Sequence, residues 1–96
     1  MVIEIATFRL AADFDESTFL EADQRVQLEF MHRQPGFMRR TTARGSGGEW
    51  LVVVLWGSPS DAVAAAEAAE SHPAVTAFAS MVDGSTHVVK RYAALD

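Results

Sequence analysis

The run Trp50-Leu51-Val52-Val53-Val54-Leu55-Trp56 is apolar at every position and carries a tryptophan at each end. Its β-branched content, its shortness and the glycines on either side (Gly47-Gly48 before it, Gly57 ahead of Ser58-Pro59) predict a strand with no solvent face. Both sides of such a strand must be covered. A chain of 96 residues holds one domain, spanning 1–96, and covering both faces from within so short a chain is difficult. A second copy of the chain is therefore expected to supply one of the covers.

The remaining segments follow in order. Val2 to Leu10 is a second strand apolar on both sides, with Ile3, Ile5 and Thr7 on one face and Val2, Glu4, Ala6, Phe8 and Leu10 on the other. Asp13 or Asp15 caps a helix predicted from about Glu16 to Arg33, in which Phe19, Leu20, Val26, Phe30 and Met31 share an arc of about 140°. Asp23 and Gln27 fall inside that same arc, two polar residues one turn apart on the side meant for burial. Gln34-Pro35-Gly36-Phe37 ends the helix, and Phe37 to Arg44 reads as an arginine-bearing edge strand joined to the tryptophan strand by the hairpin loop Gly45-Ser46-Gly47-Gly48.

Ser58-Pro59-Ser60-Asp61 is the clearest helix start: serine as cap, proline in the first helical position, aspartate closing a capping box. The helix runs to about Ser71 with a body of alanine, Val63 being its one larger apolar side chain, so it either packs close to the sheet or leaves space above it. A shorter helical piece follows His72-Pro73 and carries Val75, Phe78, Met81 and Val82. Asp83-Gly84 turns the chain into a last strand from Thr86 to Tyr92.

Composition narrows the partners. A formal charge of -5 argues against nucleic acid and anionic membranes, and the absence of cysteine removes disulfides and thiolate metal sites. Three histidines without metal-ligand spacing predict no metal site. No apolar run approaches the ~20 residues that cross a bilayer, and a cytoplasmic protein is expected.

Strand, helix, strand, strand, helix, strand is the order of an α+β, ferredoxin-like βαββαβ domain: a four-stranded antiparallel sheet with helices on one face and the first and third strands central. The opening strand, the helix closed by Pro35-Gly36-Phe37, the arginine-bearing strand, the strand ending in Trp56 before a helix cap, and His72-Pro73 leading to Val75 and Phe78 together resemble the antibiotic biosynthesis monooxygenase family. The likeness covers about residues 2 to 92. It implies a homodimer, a dimeric α+β barrel in which two sheets face each other, with a small-molecule cleft between helices and sheet in each subunit.

Two enzymatic branches of that family can be held against these residues. The haem-degrading branch has an asparagine on its first strand, a tryptophan ending the third and a histidine ligand in the last helical piece. Trp56 matches, but the chain has no asparagine, and His72 precedes the required position by about two turns. The branch that oxidises aromatic polyketides without a cofactor shares Trp56 but has an asparagine and a tyrosine this chain lacks, Ala62 standing where the tyrosine is expected.

Such an oxygenase deprotonates a phenol and holds the anion near oxygen in a dry pocket. The expected catalytic residues are Asp23, Gln27 and Trp56, with Phe30, His72, Phe78, His87 and Arg91 binding the substrate and no cofactor required. Each has a plainer reading: Trp56 as core or dimer packing, Asp23 and Gln27 as partners of a buried backbone group or an arginine, His72 as a helix cap. The expected function is a cofactor-independent monooxygenase-like protein acting on an aromatic or polyketide-like molecule. The alternative is a non-catalytic dimeric module that binds a metabolite or serves assembly. A cavity reaching Asp23 and Trp56 favours the first, and an Asp23 bonded within the protein favours the second.

Overall fold

A computed structural model describes all 96 residues. The strands are β1 (Val2–Arg9), β2 (Phe37–Arg44), β3 (Glu49–Trp56) and β4 (Val88–Ala93), and the helices are α1 (Glu16–Arg25), α2 (Pro59–Ala69) and α3 (Pro73–Ser80). They form one antiparallel sheet in the order β2-β3-β1-β4, the expected ferredoxin-like arrangement, with the two strands apolar on both faces at its centre.

Register divides the side chains of the sheet between two faces. One cross-strand row joins Arg40, Val54, Glu4 and Arg91, and its neighbours join Phe37, Trp56, Val2 and Ala93 on one side and Thr42, Val52, Ala6 and Val89 on the other. These rows lie under the helices. Trp50, Val52, Val54 and Trp56 are buried there, and both tryptophans share this face, as alternation requires. The opposite face presents Ile3, Ile5, Leu51, Val53 and Leu55, all partly exposed, flanked by Val88 and Tyr92, which are about half exposed.

The first helical segment is not a uniform helix. α1 gives way at Val26 to one π-helical turn, Val26–Phe30, and then to a short 3₁₀ turn, Met31–Arg33. Uniform α-helical periodicity places Leu20 on the buried arc, yet it is 42% exposed. The wider π turn advances the chain through a smaller angle per residue and so brings Phe30 and Met31 back over the sheet, where both are buried. The core stripe therefore bends away from Leu20.

The turns behave as their residues dictate. Asp15 caps α1 by accepting from the Thr18 N–H at 2.8 Å, and Ser58 caps α2 by accepting from the Asp61 N–H at 3.2 Å. The Asp61 carboxylate does not complete the expected capping box; it lies instead against Gly36, where a Cβ would sit 2.1 Å from it. Gly36 has φ +77°, and its carbonyl accepts from the Gly57 N–H at 2.8 Å, so this turn fixes the start of β2 to the end of β3. α2 ends at Ala69, two residues short of Ser71, and the last strand begins at Val88 because residues Gly84–Thr86 form a 3₁₀ turn first.

Candidate functional site

The helical layer is unevenly filled. Under α1, Phe19 is fully buried, with its ring 4.9 Å from Trp50, 5.7 Å from Phe8 and 5.2 Å from Phe78. Under α2 no large side chain points inward: Ala62 and Ala65 are buried, and Val63 is 48% exposed on the far side. Alanine side chains cannot span the usual separation of helix and sheet, so a gap of about 300 Å³ remains between α2, α3 and the sheet. Val52 and Val54 floor it, Trp56, Phe30 and Phe78 wall it, and Ala62, Ala65, Ala66 and Ala69 form its roof. All of β4 is exposed, so the gap opens over that edge strand and is a cleft.

Five of the residues expected at a site line this cleft: Trp56, Phe30, Phe78, His87 and Arg91. Trp56 is 2% exposed, and its indole Nε1 is buried without a hydrogen-bond partner. A buried N–H with no acceptor is uncommon in folded proteins, which sets this indole apart from an ordinary core side chain. The Trp56 ring also meets the Phe37 ring edge-on at 6.0 Å. His87 lies against Phe8 at the exposed β4 end, ring centroids 6.2 Å apart.

The other three residues lie elsewhere. Asp23 accepts from Arg40 Nη2 at 2.7 Å and from the Thr42 hydroxyl at 2.9 Å, an ion pair with side chains only 5% (Arg40) and 14% (Asp23) exposed. It does not reach the cleft; its partner Arg40 does, and Arg40 also lies 5.8 Å above the Phe78 ring. Gln27 sits in the π turn, its Nε2 3.3 Å from His32 Nε2 and its Oε1 buried without a partner. His72 caps α3, its Nδ1 accepting from the Ala74 N–H at 3.1 Å, and its ring stands edge-on to Phe30 at 5.2 Å, outside the cleft wall. The structure thus meets each condition only in part: the cavity reaches Trp56 but not Asp23, and Asp23 is bonded inside the protein beside a cleft that is not filled.

Two polar cleft residues lie outside the expected set, Arg40 and Glu4. Glu4 stands on the floor between Val54 and Arg91, and its Oε1 accepts from Arg91 Nε at 2.8 Å. The signal was present in the sequence as a lone carboxylate among Val2, Ala6 and Phe8 on a face that otherwise demands burial. No group of histidine and carboxylate side chains is arranged to hold a metal ion.

No protein-family model matches the sequence, and no curated protein sequence matches it. Solved structures match its shape along almost the whole chain. SnoaB, a cofactor-independent oxygenase from Streptomyces nogalater, superposes in an asparagine-to-alanine variant with a TM-score of 0.80 at 21% identity, over 99% of this chain and 93% of that one. Its fold is that of the antibiotic biosynthesis monooxygenases. A candidate antibiotic biosynthesis monooxygenase from Bordetella bronchiseptica gives 0.78 at 18% identity, covering 98% and 96% of the two chains. A dimeric ferredoxin-like protein of unknown function from Thermobifida fusca gives 0.76 at 14%, covering 97% and 90%. At these identities the antibiotic biosynthesis monooxygenases and this chain share an architecture, and the chemistry must be argued from the residues. No helix is long and apolar enough to cross a membrane.

Proposed function

We propose that this chain is a cofactor-independent, monooxygenase-like protein that takes a flat aromatic or polyketide-like molecule into the cleft between its helices and sheet. The observation that carries the reading is the cleft itself: about 300 Å³, walled by Phe30, Phe78 and Trp56, with the indole N–H of Trp56 left unpartnered and Arg91 and His87 where it opens. Its small-residue roof and aromatic walls suit a fused-ring ligand, and its charged rim suits a ligand that is ionised before it reacts. Oxygenation of a methylene between aromatic rings needs only dioxygen: the methylene becomes a ketone and the second oxygen leaves as water. The protein's part is to promote loss of the ring-stabilised proton and to hold the anion away from bulk water.

In this reading Trp56 donates to an oxygen of the ligand, Phe30 and Phe78 stack on its rings, and Arg91 and His87 receive its polar end. Asp23 acts through Arg40, which it holds in the cleft wall. Incubating the protein with a dihydroxyanthrone under oxygen and following quinone formation tests the proposal. Quinone formed faster than in protein-free buffer is expected, and the absence of both turnover and binding to the folded protein would refute it. The confinement of Asp23 to Arg40 and Thr42 favours a second reading, a module that binds such a molecule without transforming it. Binding without turnover would select it.

The open face of the sheet supports self-association. Ile3, Ile5, Leu51, Val53 and Leu55 form a contiguous apolar surface that a second copy would bury, closing the barrel. A dimer mass in light scattering is expected, and Val53→Glu, which places a charge in the middle of that surface, is expected to yield monomers.

A further inference from the structure

Three basic groups and one acidic group line the cleft, and their pairing separates their roles. Arg40 is bonded to Asp23, outside the cleft. His87, at the rim, has no hydrogen bond through its ring and is exposed. Glu4 and Arg91 are bonded to each other on the floor, through Glu4 Oε1 alone. Glu4 Oε2 is left with no protein partner on a side chain that is only 20% exposed. A carboxylate between Val2, Ala6 and Val54 is costly to desolvate. A cross-strand ion pair returns only a small part of such a cost, which makes stability a weak reason for placing it there.

Resting on the functional reading above, we infer that Glu4 is the proton acceptor of the cleft and that Arg91 is the counter-ion that passes from Glu4 to the ligand anion. The balance is simple. A ligand C–H or O–H bond breaks, its electron pair stays in the conjugated ring system, and the proton bonds to Glu4, which becomes a neutral acid. The cleft then still holds one negative charge, now on the ligand, and Arg91 remains beside it. Net charge in the site is unchanged, so the step avoids separating charge in a low-dielectric space. The row geometry suits it: Glu4 lies one row from Trp56 on the same face of the sheet, and both line the cleft, so one flat ligand can meet both side chains.

The decisive experiment counts protons. Alizarin, a hydroxylated anthraquinone with no oxidisable methylene, is titrated into the protein at a pH where the free dye is un-ionised. Absorbance reports the ionisation of the bound dye, and calorimetry in two buffers of different ionisation enthalpy reports protons released. The wild type is expected to bind the dye as its anion with no proton released, because Glu4 retains it. Glu4→Gln is expected to bind either the un-ionised dye, or the anion with one proton released per dye. Un-ionised dye in the wild type, or an anion accompanied by full proton release, overturns the inference while leaving the cleft as a binding site. No binding at all removes the functional reading with it.

With a turnover substrate, Glu4→Gln is expected to lower kcat on the order of 100-fold or more with KM changed far less, the range of general base catalysis. Glu21→Gln, on an exposed position of α1, leaves both unchanged. Should Glu4→Gln fail to fold by circular dichroism, Glu4→Asp keeps the charge pair, and retained binding without proton release is expected of it. A loss of thermal stability in Glu4→Gln with neither the proton count nor kcat altered would assign Glu4 to the sheet alone.

Discussion

Trp50 and Trp56 stand on the same face of the same strand, six residues apart by number, and meet different neighbours. Trp50 lies under α1, where Phe19, Phe8 and Phe78 close around one another in a cluster of aromatic rings. Trp56 lies under α2, where alanine leaves a cleft and the indole N–H finds no acceptor. Both side chains are almost fully buried. Burial alone therefore says little about role; the side chains carried by the helix above decide whether a tryptophan becomes core or wall.

Truncation separates the two most strongly. Trp50→Ala removes a buried ring packed against Phe19 and is expected to cost about 3–5 kcal/mol of unfolding free energy. Trp56→Ala enlarges a space that is already partly open, so its cost by chemical denaturation is expected to be smaller. The ligand readout reverses the order: Trp56→Ala is expected to abolish binding of an anthraquinone probe, while any Trp50→Ala protein that remains folded binds it. Equal stability losses in the two variants would dismiss the contrast between core and wall.

The backbone that seats Trp56 comes next. Gly36→Ala forces a Cβ onto a residue with φ +77° and into the space of the Asp61 carboxylate, which must then move away from the start of α2. The left-handed backbone alone costs a non-glycine residue about 1–2 kcal/mol, and the displaced carboxylate adds to it. A fall of about 2 kcal/mol or more in denaturant unfolding is expected. A variant as stable as the wild type would show that the turn leading into β2 tolerates a different path.

Filling the cleft should move binding more than stability. Ala66→Leu directs a larger side chain from α2 into space that is already empty, so the unfolding free energy is expected to shift by under about 1 kcal/mol. Probe affinity is expected to fall at least about tenfold, equivalent to roughly 1.4 kcal/mol. Unchanged affinity would place the ligand somewhere other than beneath α2.

Most of this contrast was legible before any coordinates. The alternating faces, the glycine-bounded runs and the Ser58-Pro59 start fix the order of elements, and the alanine content of residues 62 to 69 already implied either close packing or a gap. Three points were not legible, each for a physical reason. Periodicity puts Leu20 on the buried arc because it cannot tell a π turn from uniform helix. Asp23 reads as ligand-facing because periodicity gives the face of a helix but not the strand beneath it, and that strand brings Arg40 and Thr42 to meet it. Glu4 was absorbed into an apolar strand pattern because alternation reports which face a residue occupies and is blind to an empty space above it.

The two helices also differ at their starts, and acid separates them by the smallest effect. The Thr18 backbone N–H donated to Asp15 holds that carboxyl below its ordinary value of 3.8, with the Ser17 hydroxyl adding to it. Since the folded state lowers this pKa, the linked stability is fully present above the unfolded value and drains away as pH falls below about 3.8 through the folded value. Glu29, lowered first by its hydrogen bond to Arg25, contributes in the same direction at the other end of the segment. Ser58, the cap of α2, carries no charge. Asp15→Asn keeps an oxygen for the Thr18 N–H and removes the titration, so unchanged stability at neutral pH and a shallower decline in acid are expected. Ser58→Ala is expected to lower stability by about 1 kcal/mol throughout the pH range. If Asp15→Asn declines in acid as steeply as the wild type, the acid sensitivity lies elsewhere in the chain, and the cap of α1 has no more bearing on it than the cap of α2.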